Sequence, residues 1–528
     1  LKVDGQGETT LVQSASEGAG AGGQVVIEAA GVELISGGQI STSTKKEGEG
    51  GVVQLSANNL TVDGQGSGVR TGIVSEASGS GNAGEVTITV PEVEVLAGGE
   101  INTSTSGDGQ AGQVTLTVAN LKVDGQGETT LVQSASEGAG AGGQVLIEAE
   151  GVELISGGQI STSTKSEGQG GVVQLSAKNL TVDGEGSGAR TGIVSEASGS
   201  GNAGEVTITV PEVEVLAGGE INTSTSGDGR AGDLLLLANH LKVSSGGRVA
   251  VEAHADGDAG QMTIRANDVE VSQEGILSAS THGAGRGGDV DLGVDQLLVS
   301  EKGRIQSAST GAGTSGSVSV KAKRILMNTG GSITTEALES SGGEIALAAD
   351  EAFQMEGAII TAQSMQDGGS VTINTPADLW WADSTINAEA GQNGGNISIK
   401  TPSLLVLENT DLVANAIYGT GGNISLATRL FLPSWDSVIS ASSEFGLQGS
   451  IEIESPETDV GSGLVVLPES LVEQDVNLSN RCALMLGGDV SSFFLNGDGG
   501  VPVWSRVNYV PSVFLGDEEE EKKDIKRQ

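Results

Sequence analysis

Residues 83–105 read AGEVTITVPEVEVLAGGEINTST and contain one complete unit of the pattern that recurs through most of this chain. After a glycine, Val86 and Ile88 alternate with threonines, and a second short apolar stretch, VEV, follows. A Gly-Gly pair then precedes the lone Ile101 and a Ser/Thr run. Alternation with a period of two predicts β-strands rather than helices, and the glycines predict corners. Each unit is therefore predicted to contain three short strands separated by turns.

The unit recurs with a nearly constant period. Most corners lie 26 to 28 residues apart, and residues 1–109 return at 121–229 with only seven differences. A fixed period of this length is typical of solenoids, in which each unit buries its apolar face against its neighbours. We predict an all-β fold, a right-handed parallel β-helix of about 16 coils of about 28 residues with three short strands per coil.

The pattern divides the chain into three parts. Residues 1–455 carry the repeats and are predicted to form the β-helix. Residues 456–516 contain prolines and aromatic residues without the repeat, and they are predicted to form a C-terminal cap over the open sheet edge. Residues 517–528 contain four consecutive glutamates and further charges, and they are predicted to be disordered. Because the chain begins inside a repeat, we expect it to be a piece of something longer.

Composition excludes several functional classes. The net charge of −43 disfavours binding to nucleic acid and to anionic membranes, which require clustered basic residues. Aromatic residues make up only 2% of the chain, which suits a narrow interior of stacked aliphatic side chains. The single cysteine, Cys482, excludes an intrachain disulfide framework. No apolar run is long enough for a transmembrane helix.

The alternation also predicts which side chains lie inside. Polar residues between the apolar ones are expected to point outward, as for Glu28, Gln54 and Thr87. The residues predicted to be buried are Val25, Ile27, Ile40, Val53, Leu55, Val86 and Ile88.

Two groups of residues are candidates for surface binding. Ser/Thr runs follow the lone isoleucine, and their hydroxyls are predicted to align outward on one face, where an array could bind glycans or ice. Strand propensity alone also accounts for these threonines. Trp380 and Trp381 form the second group, as a sugar-stacking pair, as part of a wider interior or as a contact with the cap, with one indole predicted to point inward. The threonines are Thr42, Thr44, Thr103, Thr105, Thr162, Thr164, Thr223 and Thr225.

We predict no catalytic centre, no cofactor and no metal site. Six glutamates in the first of the two near-identical blocks, residues 1–109, return in the second, residues 121–229. This is expected for surface decoration rather than for a single catalytic pair. His240, His254 and His282 are interpreted as scattered, solvated residues. The stretch HADGDAG at 254–260 resembles part of a calcium loop but lacks the glutamate at its twelfth position.

The C-terminal fifth resembles filamentous haemagglutinin-type exoproteins of two-partner secretion systems, of the subgroup abundant in cyanobacteria. The resemblance rests on VISASSEFGLQGSIEIESPETDV at 438–460, NRCALM at 480–485 and SSFFLNGDGGVP at 491–502. It implies a right-handed β-helix, export through an outer-membrane partner transporter, and adhesion or surface display. The Asn-Pro-Asn-Gly-type motif of the family's secretion domain does not occur in this sequence.

These observations together predict a secreted or cell-surface structural and adhesive rod that presents repeated surfaces to an extracellular glycan or protein. Two alternatives remain open at this stage. One is a polysaccharide-acting β-helix enzyme, which would show a single groove with a close pair of acids that is not repeated. The other is a calcium-binding extracellular matrix protein.

Overall fold

The computed structural model describes residues 1–455, which form 44 β-strands and no helix. The predicted cap at 456–516, the tail at 517–528 and Cys482 lie outside the described residues, as do most of the stretches that carry the family resemblance. Within residues 1–455 there is accordingly no helix that could cross a membrane.

In chain order the strands are β1 Lys2–Asp4, β2 Thr10–Gln13, β3 Gln24–Glu28, β4 Val32–Ile35, β5 Gly38–Ser41, β6 Val52–Ser56, β7 Asn59–Asp63, β8 Thr71–Val74, β9 Glu85–Thr89, β10 Glu92–Leu96, β11 Gly99–Asn102, β12 Gln113–Thr117, β13 Asn120–Asp124, β14 Thr130–Gln133, β15 Gln144–Glu148, β16 Gly151–Ile155, β17 Gly158–Ser161, β18 Val172–Ser176, β19 Asn179–Asp183, β20 Gly192–Val194, β21 Val206–Thr209 and β22 Glu212–Leu216. They continue as β23 Glu220–Asn222, β24 Leu234–Leu237, β25 His240–Val243, β26 Arg248–Ala250, β27 Met262–Val271, β28 Ile276–Ser278, β29 Val290–Val299, β30 Arg304–Gln306, β31 Val318–Asn328, β32 Ser332–Thr334, β33 Glu344–Glu356, β34 Ile359–Thr361, β35 Ser370–Asn374, β36 Leu379–Ala382, β37 Thr385–Asn387, β38 Asn396–Lys400, β39 Leu404–Glu408, β40 Asp411–Val413, β41 Asn423–Ala427, β42 Leu430–Pro433, β43 Ile439–Ser440 and β44 Ser450–Glu454.

The strands stack in parallel from coil to coil, which confirms the predicted β-helix. The first and second strands of the coils form one sheet of 28 strands, and the third strands form a sheet of 16 strands. Pairing is in register except for a shift after Ala322 between β31 and β33. Ile88 of β9, for example, lies between Leu55 of β6 and Leu116 of β12. Four coils differ in detail, because their first and second strands run together as the single strands β27, β29, β31 and β33.

The interior is a continuous ladder of aliphatic side chains. Val86 and Ile88 are fully buried, whereas Thr87 between them is partly exposed and faces outward. The predicted alternation is confirmed at the other named positions except Val25, which is only partly buried. The strand that carries Val25 pairs with a single neighbour among the described strands, so its ladder is covered on one side only.

Glycine is required at the corner before each first strand because the coils approach closely there. A Cβ atom added to Gly84 would lie 1.9 Å from the carbonyl oxygen of Gly51 in the preceding coil. The corner between second and third strands uses glycine differently: Ala97 and Gly98 both have positive φ, 43° and 84°, in a tight turn. Residues 64–70 are an insertion that makes their coil longer than most, and they also lie at this second corner, between β7 and β8. Pairing of both strands with the next coil stays in register.

Candidate functional site

The predicted outward array of threonine hydroxyls is wrong. All eight threonines are buried, with at most 1% of their surface exposed. The reason is the parity of the strand: Thr42 and Thr44 lie two and four residues after the inward-facing Ile40, so they continue on its side. Their hydroxyls donate hydrogen bonds inside the β-helix, Thr42 Oγ1 to Ser75 Oγ of the next coil at 2.9 Å and Thr44 Oγ1 to the Gly48 carbonyl of its own coil at 2.8 Å. The eight buried threonines are Thr42, Thr44, Thr103, Thr105, Thr162, Thr164, Thr223 and Thr225.

Trp380 and Trp381 point to opposite sides of their strand, as the alternation predicts. Trp381 is completely buried and meets the ring of Phe353 edge-on, with ring centroids 5.5 Å apart. The side chain of Trp380 is about half exposed, at 48%. The two indoles therefore do not form one platform, because the interior of the β-helix contains one of them.

The outward residues that follow the third strands form a concave strip, here called the polar groove. It comprises the residues one, three and five positions after the inward residue of each third strand, such as Asn102, Ser104 and Ser106 after Ile101. Although these side chains point away from the apolar core, Asn102, Ser104 and Glu252 are all less than 10% exposed. Polar side chains that are buried on the outside of a core indicate a concave surface.

Serine hydroxyls connect neighbouring coils along the polar groove. Ser104 Oγ accepts a hydrogen bond from the backbone N–H of Ala135 at 2.9 Å, and Ser224 Oγ accepts one from that of Glu252 at 3.0 Å. These backbone N–H groups lie just past the end of the third-strand ladder, and the serine hydroxyls give them hydrogen-bond partners. The serines of the Ser/Thr runs thus face the groove, whereas the threonines face the interior.

One charged cluster occurs twice in the polar groove with the same contacts. Arg190 donates hydrogen bonds to the carboxylates of Glu196 and Glu220, and the Asn222 amide donates to Glu196 Oε1 at 2.9 Å. Desolvation opposes the charge of Arg190, but the hydrogen bonds and charges of the two glutamates outweigh it and raise the pKa of the guanidinium. The first copy consists of Arg70, Glu76, Glu100 and Asn102. The two blocks therefore present the same polar surface twice.

The first copy of this cluster lines a cleft of about 480 Å³. The opposite wall of the cleft includes Glu137 and Lys165, which lie on adjacent coils and form an ion pair.

A second cleft, of about 630 Å³, lies further along the same groove. The carboxylate of Glu389 accepts hydrogen bonds there from the amides of Gln363, Asn387 and Asn415, at 3.1 to 3.2 Å. Glu336 lines the cleft in the same column of residues. The opposite wall is apolar and is formed by Leu338, Met365 and Ile417.

Two aromatic rings follow lining residues of this second cleft in the sequence. Tyr418, next to Ile417, and Phe445, next to Glu444, stack with ring centroids 5.8 Å apart and planes inclined by 20°. Both side chains are more than 60% exposed. The cleft thus combines hydrogen-bonding carboxylate and amide groups with an apolar wall, and the two exposed rings directly follow residues that line it.

The interpretation of all three histidines as scattered is wrong for two of them. His254 and His282 lie 28 residues apart, which is one coil, so their rings stack with centroids 5.0 Å apart. The buried carboxylate of Glu252 lies beside them. Burial lowers the pKa of the His254 imidazole. The charge of Glu252 raises it, and the charges of His282 and Arg248 lower it. His240 lies apart, with its Nδ1 2.8 Å from Asp268.

Comparisons with protein-family models, with curated proteins and with solved structures gave no match.

Sequence reasoning missed the polar groove and its second cleft. A signal was present, because polar residues recur one and three positions after the lone isoleucine of each third strand. Counting parity from that isoleucine would have assigned the threonines to the interior and the serines, asparagines and glutamates to the surface.

Proposed function

We propose that this chain belongs to a secreted or cell-surface structural rod that attaches to a neutral glycan through the polar groove. The second cleft is the observation that carries the proposal. Sugars offer hydroxyl groups that bond to carboxylates and amides, and apolar C–H faces that pack on aliphatic and aromatic side chains. Glu389 with its three amides supplies the first kind of contact, and Leu338, Met365 and Ile417 supply the second. The exposed rings of Tyr418 and Phe445, next to lining residues in the sequence, extend the apolar surface.

The charge of the chain favours a neutral glycan over an acidic one. A net charge of −43 repels polyanions at long range, and it keeps neighbouring rods apart. The repeated Arg70 and Arg190 clusters support attachment at more than one point. Repeating a weak site raises avidity without new contacts, which suits binding to a repetitive polymer.

Export through an outer-membrane partner transporter is part of the proposal. Its support is the resemblance of the C-terminal fifth to filamentous haemagglutinin-type exoproteins, and the β-helix is the architecture that this resemblance implies.

The test is binding of the full chain to immobilised neutral and acidic polysaccharides. Tyr418→Ala and Phe445→Ala should each weaken retention on the neutral polymer by about 5- to 30-fold, as expected for a lost aromatic contact of ~1–2 kcal/mol. Trp435→Ala is the matched control, because Trp435 is 94% exposed and neither it nor its sequence neighbours line the cleft. Absence of binding to any polysaccharide, or equal loss in the control, would refute the proposal.

A polysaccharide-cleaving activity is the second candidate, and one observation favours it. Glu336 and Glu389 line the same cleft two coils apart, and neither belongs to the duplicated blocks. With ~4.8 Å per coil, their backbones are separated by roughly 10 Å, near the carboxylate spacing of inverting glycosidases. Release of reducing ends that Glu389→Gln abolishes would establish the enzyme. Binding without release of reducing ends would leave the adhesive function.

A further inference from the structure

His254 and His282 are held side by side by the β-helix itself. Each directly follows a residue of one paired column, Ala253 and Thr281, so the two side chains leave adjacent coils in the same direction. Their rings are nearly parallel, inclined by 15°, and both are exposed to solvent. Stacking along the coil axis therefore brings two imidazoles to one point of the polar groove.

The ring nitrogens have defined surroundings. Nδ1 of His282 lies 2.9 Å from Oγ1 of Thr310 on the next coil, so this contact orients the ring and leaves Nε2 as the nitrogen available to a metal. Nε2 of His254 lies 3.8 Å from Oε2 of Glu252. A hydrogen bond at one ring nitrogen is the usual way in which proteins orient a histidine that ligates a metal through the other.

Glu252 supplies a fixed carboxylate. It is 1% exposed, its Oε1 accepts a hydrogen bond from Ser278, and Arg248 contacts its Oε2. Because the guanidinium already shares this carboxylate, a cation held by charge alone is disfavoured here. A metal would have to draw its affinity mainly from the two imidazoles, which favours zinc, copper, nickel or cobalt over calcium and magnesium.

The three ligand atoms lie within 4.8 Å of one another. Ligands of a tetrahedral zinc ion at ~2.0–2.1 Å are about 3.3 Å apart, so side-chain movements on the order of 1 Å would complete the site. The solvent-facing side then leaves the fourth position to water.

The same column carries different residues in the two duplicated blocks. Glu137 and Lys165 form an ion pair at the corresponding place on two adjacent coils, and so do Glu17 and Lys45. The histidine pair replaces an ion pair that needs no metal. Two of only three histidines in the chain thus occupy adjacent positions of one column.

We propose that Glu252, His254 and His282 form a binding site for one divalent transition-metal ion, of the zinc class, in the polar groove. This site is independent of the proposed glycan binding.

The experiment is calorimetric titration of the full chain, freed of metal with a chelator, with ZnCl₂ in excess CaCl₂, which saturates weak acidic sites. We expect one Zn²⁺ per chain with micromolar affinity. His254→Ala and His282→Ala should each remove the saturable binding, and His254→Gln and His282→Gln provide variants of similar size. His240→Ala is the matched control and should bind as the parent does.

Two further readouts separate a built site from nonspecific binding. Thr310→Val should weaken Zn²⁺ binding by about 10- to 100-fold, the usual effect of losing an outer hydrogen bond to a ligand. Co²⁺ should give the visible absorption of a four-coordinate site, lost in both histidine variants. Absence of stoichiometric binding, binding that survives both histidine substitutions, or displacement by calcium would overturn the proposal.

Discussion

Ile88→Ala tests the interior ladder where its geometry is best defined. Ile88 is fully buried and lies between Leu55 and Leu116 of the adjacent coils. The substitution removes three carbon atoms, which at ~0.8 kcal/mol per buried methylene corresponds to about 2.4 kcal/mol of transfer free energy. The cavity raises the expected cost to ~3–4 kcal/mol, within the range measured for such core truncations.

The effect should be local, because each coil contacts only its neighbours. Native-state hydrogen exchange is therefore the appropriate assay, since it reports the free energy of opening segment by segment. We expect the loss of protection to be greatest in the strands of Ile88, Leu55 and Leu116, and small in coils beyond 300.

The duplication provides a matched repeat of the experiment. Ile208 is the copy of Ile88, is equally buried, and lies between Leu175 and Leu236. Ile208→Ala should cost the same within about 0.5 kcal/mol. Thr87→Ala, on the outward side, should change stability by less than ~0.5 kcal/mol. A larger effect at Thr87 than at Ile88 would show that the register is inverted.

Three further predictions concern other parts of the β-helix. Gly84→Ala should destabilise its coil by several kcal/mol, on the order of a severe overpacking mutation, because its Cβ would clash with the carbonyl of the preceding coil; denaturant unfolding measures this. Arg190→Leu should lower local protection by ~2–4 kcal/mol, because it leaves two partly buried carboxylates without their cation, whereas Arg190→Lys should retain part of the stability. The pKa of Glu17, which the hydrogen bond and charge of Lys45 lower, should rise in Lys45→Ala when followed by NMR. In the parent protein this small stabilisation is present above the unfolded-state pKa of Glu17 and is lost as the pH falls through its lower folded-state value.

Most of the fold could be predicted from local pattern, because a solenoid repeats one short-range rule. The alternation around Val86 and Ile88 identified both the strand and its buried face. The period of about 28 residues then placed like side chains above one another. The merged strands such as Met262–Val271 were not predicted, because nothing in their composition marks the loss of a corner.

The candidate sites were predicted less well than the fold. Thr42 and Thr44 share the parity of Ile40 and lie inside, contrary to the predicted outward array. His254 and His282 are separated by one coil and lie together, contrary to their interpretation as scattered. In both cases the coil-to-coil register continues past the third strands, through residues that carry no strand pattern of their own.

What the sequence by itself determined is the stacking: which residues face inward, which pair between coils, and which surface is repeated. These follow from a period of two within strands and of about 28 between coils, and both can be counted on the chain. Only the tertiary structure decided that the outward side of the third strands is concave. The repeat specifies the spacing between coils. It does not specify the direction of the chain after each third strand, on which the curvature of this surface depends. It brings Glu389 beside three amides, and it buries Glu252 next to two histidines.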